Sequence, residues 1–409
     1  MTADPAADPA PAPLPLAGVR VLDCATFIAA PYTAAILAEF GAEVIKVEQP
    51  GTGDPFRRFG TMTDRGDSLA WLSEARNKRS VTLNLRDPKG AKLFRQMARE
   101  ADVVCENFRP GTMEKWGLGW EDLRAVNPRL VMLRVTGYGQ DGPYAQRPGF
   151  ARIAHAVGGL THLAGMPDGP PVTPGSTSLG DYMTGLYGAV GVLVALRHAQ
   201  ATGKGQMIDI GLYESVFRVL DELAPRYAWE GTVRGAEGVA TLNACPHGHF
   251  ECADGAWVAI ACTNDKMFAR LARAMTRPDL GERFAAVADR LAHREEVEGA
   301  VTAWTRTHTR AAVMEACLAE EVPAGSINTI ADIFEDPHFA ARGNLHRAVE
   351  ASLGGREVVV PNVVPRLSDT PGRVESLGPE LGEGNAEIYG KLCGLTDEEL
   401  AMYRKKGVI

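Results

Sequence analysis

The sequence predicts an α/β protein: a doubly wound parallel sheet with a second, smaller α+β domain. Two observations predict it. Through the first third, short apolar runs of strand length alternate with helical stretches, the pattern of βαβ units. Glycines and small residues from Gly231 to Ala240 then form a link, and a block with its own pattern follows. A chain of 409 residues with 45% hydrophobic and 23% charged residues has room for a sizeable core and more than one domain.

The elements follow in order. Met1 to Leu14 is mostly Ala, Pro and Asp, without the basic start and apolar stretch of a signal peptide, and reads as a disordered tail. Gly18–Asp23 is a short buried strand. A helix follows over Pro31–Phe40, with Pro31 near its start. Gly41–Val47 is turn then strand. Lys89–Glu100 is an amphipathic helix with Leu93, Met97 and Ala98 at helical spacing. Val103–Cys105 and Leu130–Leu133 are further strands.

Met183–Leu196 is an apolar run without charge, of the length of a buried core helix rather than a membrane span. A strand at Gln206–Ile210 and a helix to about Tyr227 come next. After the link, Trp257–Ile260 is a strand and Lys266–Met275, Val297–Thr307 and Arg310–Glu320 are helices. Val358–Pro361 is strand-like, and Thr396–Lys405 closes the chain as a helix.

Net charge is −8 at pH 7, which argues against nucleic-acid binding as the main function. Seven cysteines, odd in number and irregularly spaced, argue for a reducing cytoplasm rather than a disulfide scaffold. There is no G-x-G-x-x-G after the first strand, no G-x-x-x-x-G-K-[ST] and no G-x-S-x-G. Dinucleotide, P-loop and serine-hydrolase chemistry therefore lack their signatures. Cys245-Pro246-His247-Gly248-His249-Phe250-Glu251-Cys252 gathers Cys and His, but at no standard zinc spacing. It reads as a turn entering a strand, and no metal site is expected.

Four polar, turn-rich segments follow or connect strands, where ligands sit in open α/β sheets: Gly51–Pro55, Asn77–Ser80, Glu106–Gly111 and Gly137–Pro143. Lys78, Arg79 and Arg109 are cations suited to phosphate groups. Asp181 stands out in Ser178-Leu179-Gly180-Asp181-Tyr182-Met183-Thr184-Gly185. It is a carboxylate beside a glycine at the mouth of the uncharged helix. It is either the helix N-cap or a nucleophile. An aspartate is ionised at neutral pH unaided, so such a nucleophile needs no neighbouring base.

Together these segments resemble the class III coenzyme A transferases, the formyl-CoA and carnitine-CoA transferase group. The segments are Val19–Asp23, Gly41–Glu48, Asn77–Ser80, Glu106–Gly111, Gly137–Gly139, Gly180-Asp181 and Thr202–Gln206. The resemblance runs from about Leu16 to the C-terminus. It implies a Rossmann-like large domain built from both chain ends (15–228 and 336–409), a small α+β domain (229–335) and an interlocked homodimer. It implies coenzyme A and acyl-CoA as substrates with no permanent cofactor; the net charge and the lack of a membrane-length apolar span make nucleic acid and membrane unexpected as partners.

In the family the Asp matching Asp181 is the nucleophile. Gly180 and the first helical turn are the expected oxyanion donors. Residues matching Ala29, Ala30, Lys78, Arg79, Asn107, Phe108, Arg109 and Tyr138 line the coenzyme A site. Two departures stand out. The segment Leu242–Gly248, comparable to a closing glycine loop, is not glycine-rich, and His155 replaces a usual Gln. Arg57, Arg58, Arg152, His155 and His247 are candidates for reading the acid.

Segments around Gly53–Arg57, Pro148–Arg152 and Ala244–Gly248 look like succinyl-CoA-dependent malate or citramalate transferases. The expected reaction moves coenzyme A from an acyl-CoA such as succinyl-CoA to a dicarboxylate. The alternatives are an α-methylacyl-CoA racemase, which shares the fold, and a non-catalytic acyl-CoA-binding protein.

Overall fold

The computed structural model describes residues 13–175 and 177–409; most of the expected N-terminal tail lies outside them. The large unit is built on six strands: β1 (Arg20–Asp23), β2 (Glu43–Glu48), β3 (Lys78–Thr82), β4 (Val103–Glu106), β5 (Val131–Thr136) and β6 (Met207–Gly211). Their order is β3-β2-β1-β4-β5-β6, and every pairing is parallel. β1 and β4 sit at the middle of this order, and the order reverses on either side of them, where ligand crevices open in such sheets.

Alternate residues of each strand serve two cores. Leu22, Ile45, Val104 and Met132 face one side. There they meet Phe94 and Met97 of the helix Pro88–Arg99, and Tyr389, Leu400 and the terminal Ile409. Val21, Val44, Val103 and Leu133 face the other, against Ala30, Ala34 and Leu37 of the helix Ala29–Glu39 and Val192, Ala195 and Leu196 of the helix Leu179–Thr202. Helices on both faces explain why these strands read as continuous apolar runs.

Three sequence expectations need correction. Within Asn77–Ser80 the turn ends at Asn77, which takes a positive φ of 59°, and Lys78–Thr82 is the edge strand β3. Its polar Lys78 and Ser80 are buried against carboxylates, which hides the strand pattern. The helix expected up to about Tyr227 is two helices, Leu212–Arg218 and Leu223–Glu230, separated where Asp221 takes a positive φ of 41°. Asp181 is not an N-cap. Ser178 holds that position, and Asp181 lies inside the first turn of the helix Leu179–Thr202. That helix has the length and hydropathy of a membrane span. One face packs in the core, while Leu186, Val190, Leu193 and Val194 are exposed.

The chain folds into two compact units. The large one takes the chain up to Leu160, Gly175–Arg226 and Arg342–Ile409, and includes the antiparallel hairpin β10 (Leu345–Glu350) and β11 (Arg356–Pro361). The other takes Thr161–Pro174 and Tyr227–Ala341. Its antiparallel sheet, β7 (His247–Glu251), β8 (Trp257–Ala261) and β9 (Ala324–Ser326), carries a core of Phe250, Val258, Ile260, Phe268, Leu271 and Val301. The boundaries thus differ from 229 and 335, and the smaller unit also takes Thr161–Pro174. Cys245 and Cys252 are buried in its apolar core.

Candidate active site

A cavity of about 230 Å³ opens at the C-terminal ends of β1, β4 and β5. Its walls come from Thr26–Ala29 after β1, Asn107–Pro110 after β4, Thr136 and Gly137 after β5, and Arg147–Phe150; Asp181 lies among them. A second cavity of about 250 Å³ lies beside it, lined by Glu48, Gln49, Gly53, Leu85, Arg86 and Trp116. The two share Thr26 and Phe108.

Asp181 is half-buried, and among the described residues no hydrogen bond or ion pair reaches its carboxylate. Burial pushes it up to about 7. This corrects the expectation of a carboxylate ionised at neutral pH without help. The partial positive charge of the first helical turn opposes this shift. The Gly180 N–H donates to Nε2 of His155 at 2.8 Å. It is therefore not free to stabilise an oxyanion, contrary to the role expected of it. The Asp181 and Tyr182 amides donate to the Ser178 carbonyl.

Buried charges fix the β1 wall. Lys46, from the middle of β2, ion-pairs with Asp54 at 2.9 Å and Asp23 at 3.5 Å, and donates to the Ala25 carbonyl. Burial alone would lower its proton affinity, but the carboxylates outweigh that and raise it. Asp54 Oδ1 accepts from the Phe27 N–H at 3.1 Å. Phe27 has a positive φ of 61°, a strained conformation for a bulky side chain that the surrounding contacts must impose.

The β4 wall has a similar anchor. Glu106 accepts from the Phe108 N–H at 2.7 Å and from Arg134 Nε at 2.6 Å. Burial outweighs the opposing pull of Arg134 and leaves the Glu106 carboxyl raised to about 7. The β5 wall depends on two glycines packed backbone to backbone. A Cβ on Gly137 would lie 2.8 Å from the Gly149 Cα.

The sequence-predicted residues divide clearly. Ala29, Asn107, Phe108 and Arg109 line the Asp181 cavity, and Arg109 has no carboxylate partner among the described residues. Ala30 lies directly behind Ala29 in the core. Tyr138 stacks edge-on against Tyr144 beside the wall residue Gly137.

Lys78 is 2% exposed, with its ammonium bound by Asp23 at 2.8 Å and the Pro31 carbonyl. Arg57 is buried, its guanidinium divided among Glu48, Asp67 and the Pro379 carbonyl. Neither is free for a substrate anion, which corrects both assignments. Arg79 pairs with Glu387 at 2.6 Å, and Arg58 donates to the Thr52 carbonyl. Arg152 is exposed on the helix Ala151–Val157, outside the cavity wall, and His155 is buried behind it. His247 belongs to the other unit, half-buried at the start of β7.

Arg147 was missed. It lines the cavity, with its guanidinium 3.6 Å over the Tyr144 ring and no carboxylate partner among the described residues. Lys46 and Glu48 were also missed. Their signal is a pair of charges two residues apart in an otherwise apolar strand, Val44-Ile45-Lys46-Val47-Glu48.

Residues 16–385 match the model of CoA-transferase family III. The chain is 58% identical to the succinyl-CoA–L-malate CoA-transferase beta subunit of Chloroflexus aurantiacus, over 97% of this chain and 98% of that protein. It is 44% identical to succinyl-CoA–D-citramalate CoA-transferase of the same organism, over 97% and 98%. Among solved structures, a CAIB/BAIF family protein from Brucella suis superposes with a TM-score of 0.83 at 35% identity, over 93% of this chain and all of that one. With a cavity of about 230 Å³ around the Asp181 carboxylate at the C-terminal ends of the strands, this chain belongs to CoA-transferase family III and is an enzyme that transfers coenzyme A.

Proposed function

We propose that the enzyme moves coenzyme A from succinyl-CoA to a small dicarboxylic acid, malate or citramalate, with Asp181 as covalent carrier. The observation that carries this is Asp181 itself: a carboxylate without partners among the described residues, in a cavity whose other walls hold Arg109 and Arg147. The names of the Chloroflexus relatives support the choice of acids.

The Asp181 carboxylate attacks the thioester carbonyl; a C–O bond forms, the C–S bond breaks, and coenzyme A leaves as thiolate. The thiolate attacks the aspartyl carbonyl of the mixed anhydride, releasing succinate and leaving an aspartyl thioester. The acceptor carboxylate attacks that carbonyl and frees the thiolate, which then attacks the acceptor side of the new anhydride and restores Asp181. Arg109 and Arg147 face the anionic groups of the substrates. The second cavity, with Arg86, takes the nucleotide end of coenzyme A, and the chain between them passes Thr26 and Phe108.

A racemase reading is disfavoured by His155. Its Nε2 is engaged by the Gly180 amide, so it is not a free base for an α-proton. The exposed apolar face of the Asp181 helix, Leu186, Val190, Leu193 and Val194, supports pairing of two copies in a homodimer. The test is a donor–acceptor screen with mass detection of the new thioester. L-malate or citramalate with succinyl-CoA is expected to exceed monocarboxylates by more than about tenfold in kcat/KM. Equal use of acetate would overturn the dicarboxylate assignment, and solvent deuterium entering the α-carbon without transfer would favour the racemase.

A further inference from the structure

The peptide unit that leads into Asp181 is held from two sides. The Gly180 N–H donates to His155 Nε2 at 2.8 Å, and Thr184 Oγ1 donates to the Gly180 carbonyl at 2.7 Å. The imidazole also fills the space where a side chain at 180 would stand. A Cβ there would lie 3.2 Å from both Cδ2 and Nε2 of His155 and 3.4 Å from Val216 Cγ2. Glycine at 180 and an acceptor ring at 155 are therefore one fitted pair.

An accepting Nε2 places the ring proton on Nδ1, since the two nitrogens of a neutral imidazole take opposite roles. Nδ1 is buried and has no partner among the described residues. Burial and the nearby Arg152 hold the ring's proton affinity below the ordinary histidine range, in keeping with an unprotonated Nε2. A buried ring that leaves one donor unsatisfied in order to accept one particular amide is an arrangement that calls for a reason. His155 does not line the cavity.

We infer that His155 is a positioning residue: by accepting the Gly180 amide it sets the first turn of the Asp181 helix and so the direction in which the Asp181 carboxylate enters the cavity. It touches no substrate. This rests on Asp181 being the nucleophile. An ångström of misplacement at a reacting group lowers the chemical step by about a hundredfold. A side chain that keeps the acceptor keeps the geometry.

The test compares His155→Leu and His155→Gln with Asp181→Ala as reference. Leu fills the space without an acceptor, whereas the Gln carboxamide oxygen reaches the same amide. His155→Leu is expected to lose kcat by about 10- to 100-fold while KM for the acyl-CoA changes less than about twofold, and trapping of the aspartyl intermediate slows in parallel. His155→Gln is expected to recover kcat to within about threefold of the parent.

A His155→Leu enzyme with normal kcat, or a Gln variant as impaired as Leu, overturns the positioning role while leaving the nucleophile intact. An active Asp181→Ala enzyme overturns the nucleophile itself. Independently of any variant's folding, ¹⁵N-histidine NMR of the parent enzyme at neutral pH is expected to show His155 with a bare Nε2 and a protonated Nδ1. The opposite tautomer contradicts the inference.

Discussion

Asn107 and Thr26 are tied together across the strand gap by two hydrogen bonds. The Thr26 N–H donates to Asn107 Oδ1 at 2.8 Å, and Asn107 Nδ2 donates to the Thr26 carbonyl at 2.7 Å. Thr26 lines both cavities. Asn107 thus joins the loop after β1 to the loop after β4 and fixes the ridge between the two cavities.

Asn107→Ala removes both bonds and leaves the Thr26 peptide to water. The expected result is a rise in KM for acyl-CoA of about tenfold or more, the equivalent of one or two net hydrogen bonds. Steady-state kinetics check it. An unchanged KM would mean that the ridge is held by other contacts.

Lys46 anchors the same loop from beneath. Lys46→Met leaves Asp54 without its ion pair in the interior and is expected to destabilise the enzyme by about 3–5 kcal/mol. Urea denaturation measures this. A variant as stable as the parent would show that the buried network is replaceable at this point.

The sheet was legible from the sequence because its strands are buried on both faces and carry apolar runs. Leu130–Leu133 and Val103–Cys105 could hardly be anything else. β3 was not legible, because Lys78 and Ser80 satisfy buried carboxylates and break the run. The same hidden pairing misled the reading of Arg57 and Lys78. A cation in the sequence shows its charge but not the carboxylate that takes it up. Asp181, Asn107 and Arg109 were legible as candidate site residues because they sit on strand ends and helix starts. The Gly180–His155 bond was not, since it joins segments 25 residues apart.

Backbone packing at the cavity wall makes a sharper comparison. Gly149→Ala puts a methyl 2.9 Å from the Gly137 Cα, and neither backbone can give. It is expected to lose about 1–3 kcal/mol of stability and to reshape the cavity wall. Gly299→Ala, on the helix Arg294–Thr305 with nothing within 4 Å of the new methyl, is expected to gain up to about 1 kcal/mol. Thermal melts of the two check the contrast.

The Asp181 carboxyl, raised to about 7 from 3.8, makes two predictions of opposite sign. Attack needs the ionised form, so kcat/KM should climb about tenfold per pH unit below 7 and level off above it. Stability runs the other way. The folded protein keeps this proton to about 7 while the unfolded chain loses it near 3.8, so the stabilising contribution is full below 3.8 and is lost as pH rises through 7. Asp181→Asn should therefore be more stable than the parent above pH 7 and equal to it near pH 3.8. A difference that is the same at both pH values would contradict the raised value.

Covalent carriage of the transferred group by Asp181 is open to one direct measurement. Enzyme incubated with succinyl-CoA, reduced with borohydride and digested should yield the peptide containing residue 181 with its carboxyl converted to an alcohol, and the parent should be inactivated in step. An unmodified Asp181 in fully turning-over enzyme, or the modification on another residue, would contradict it.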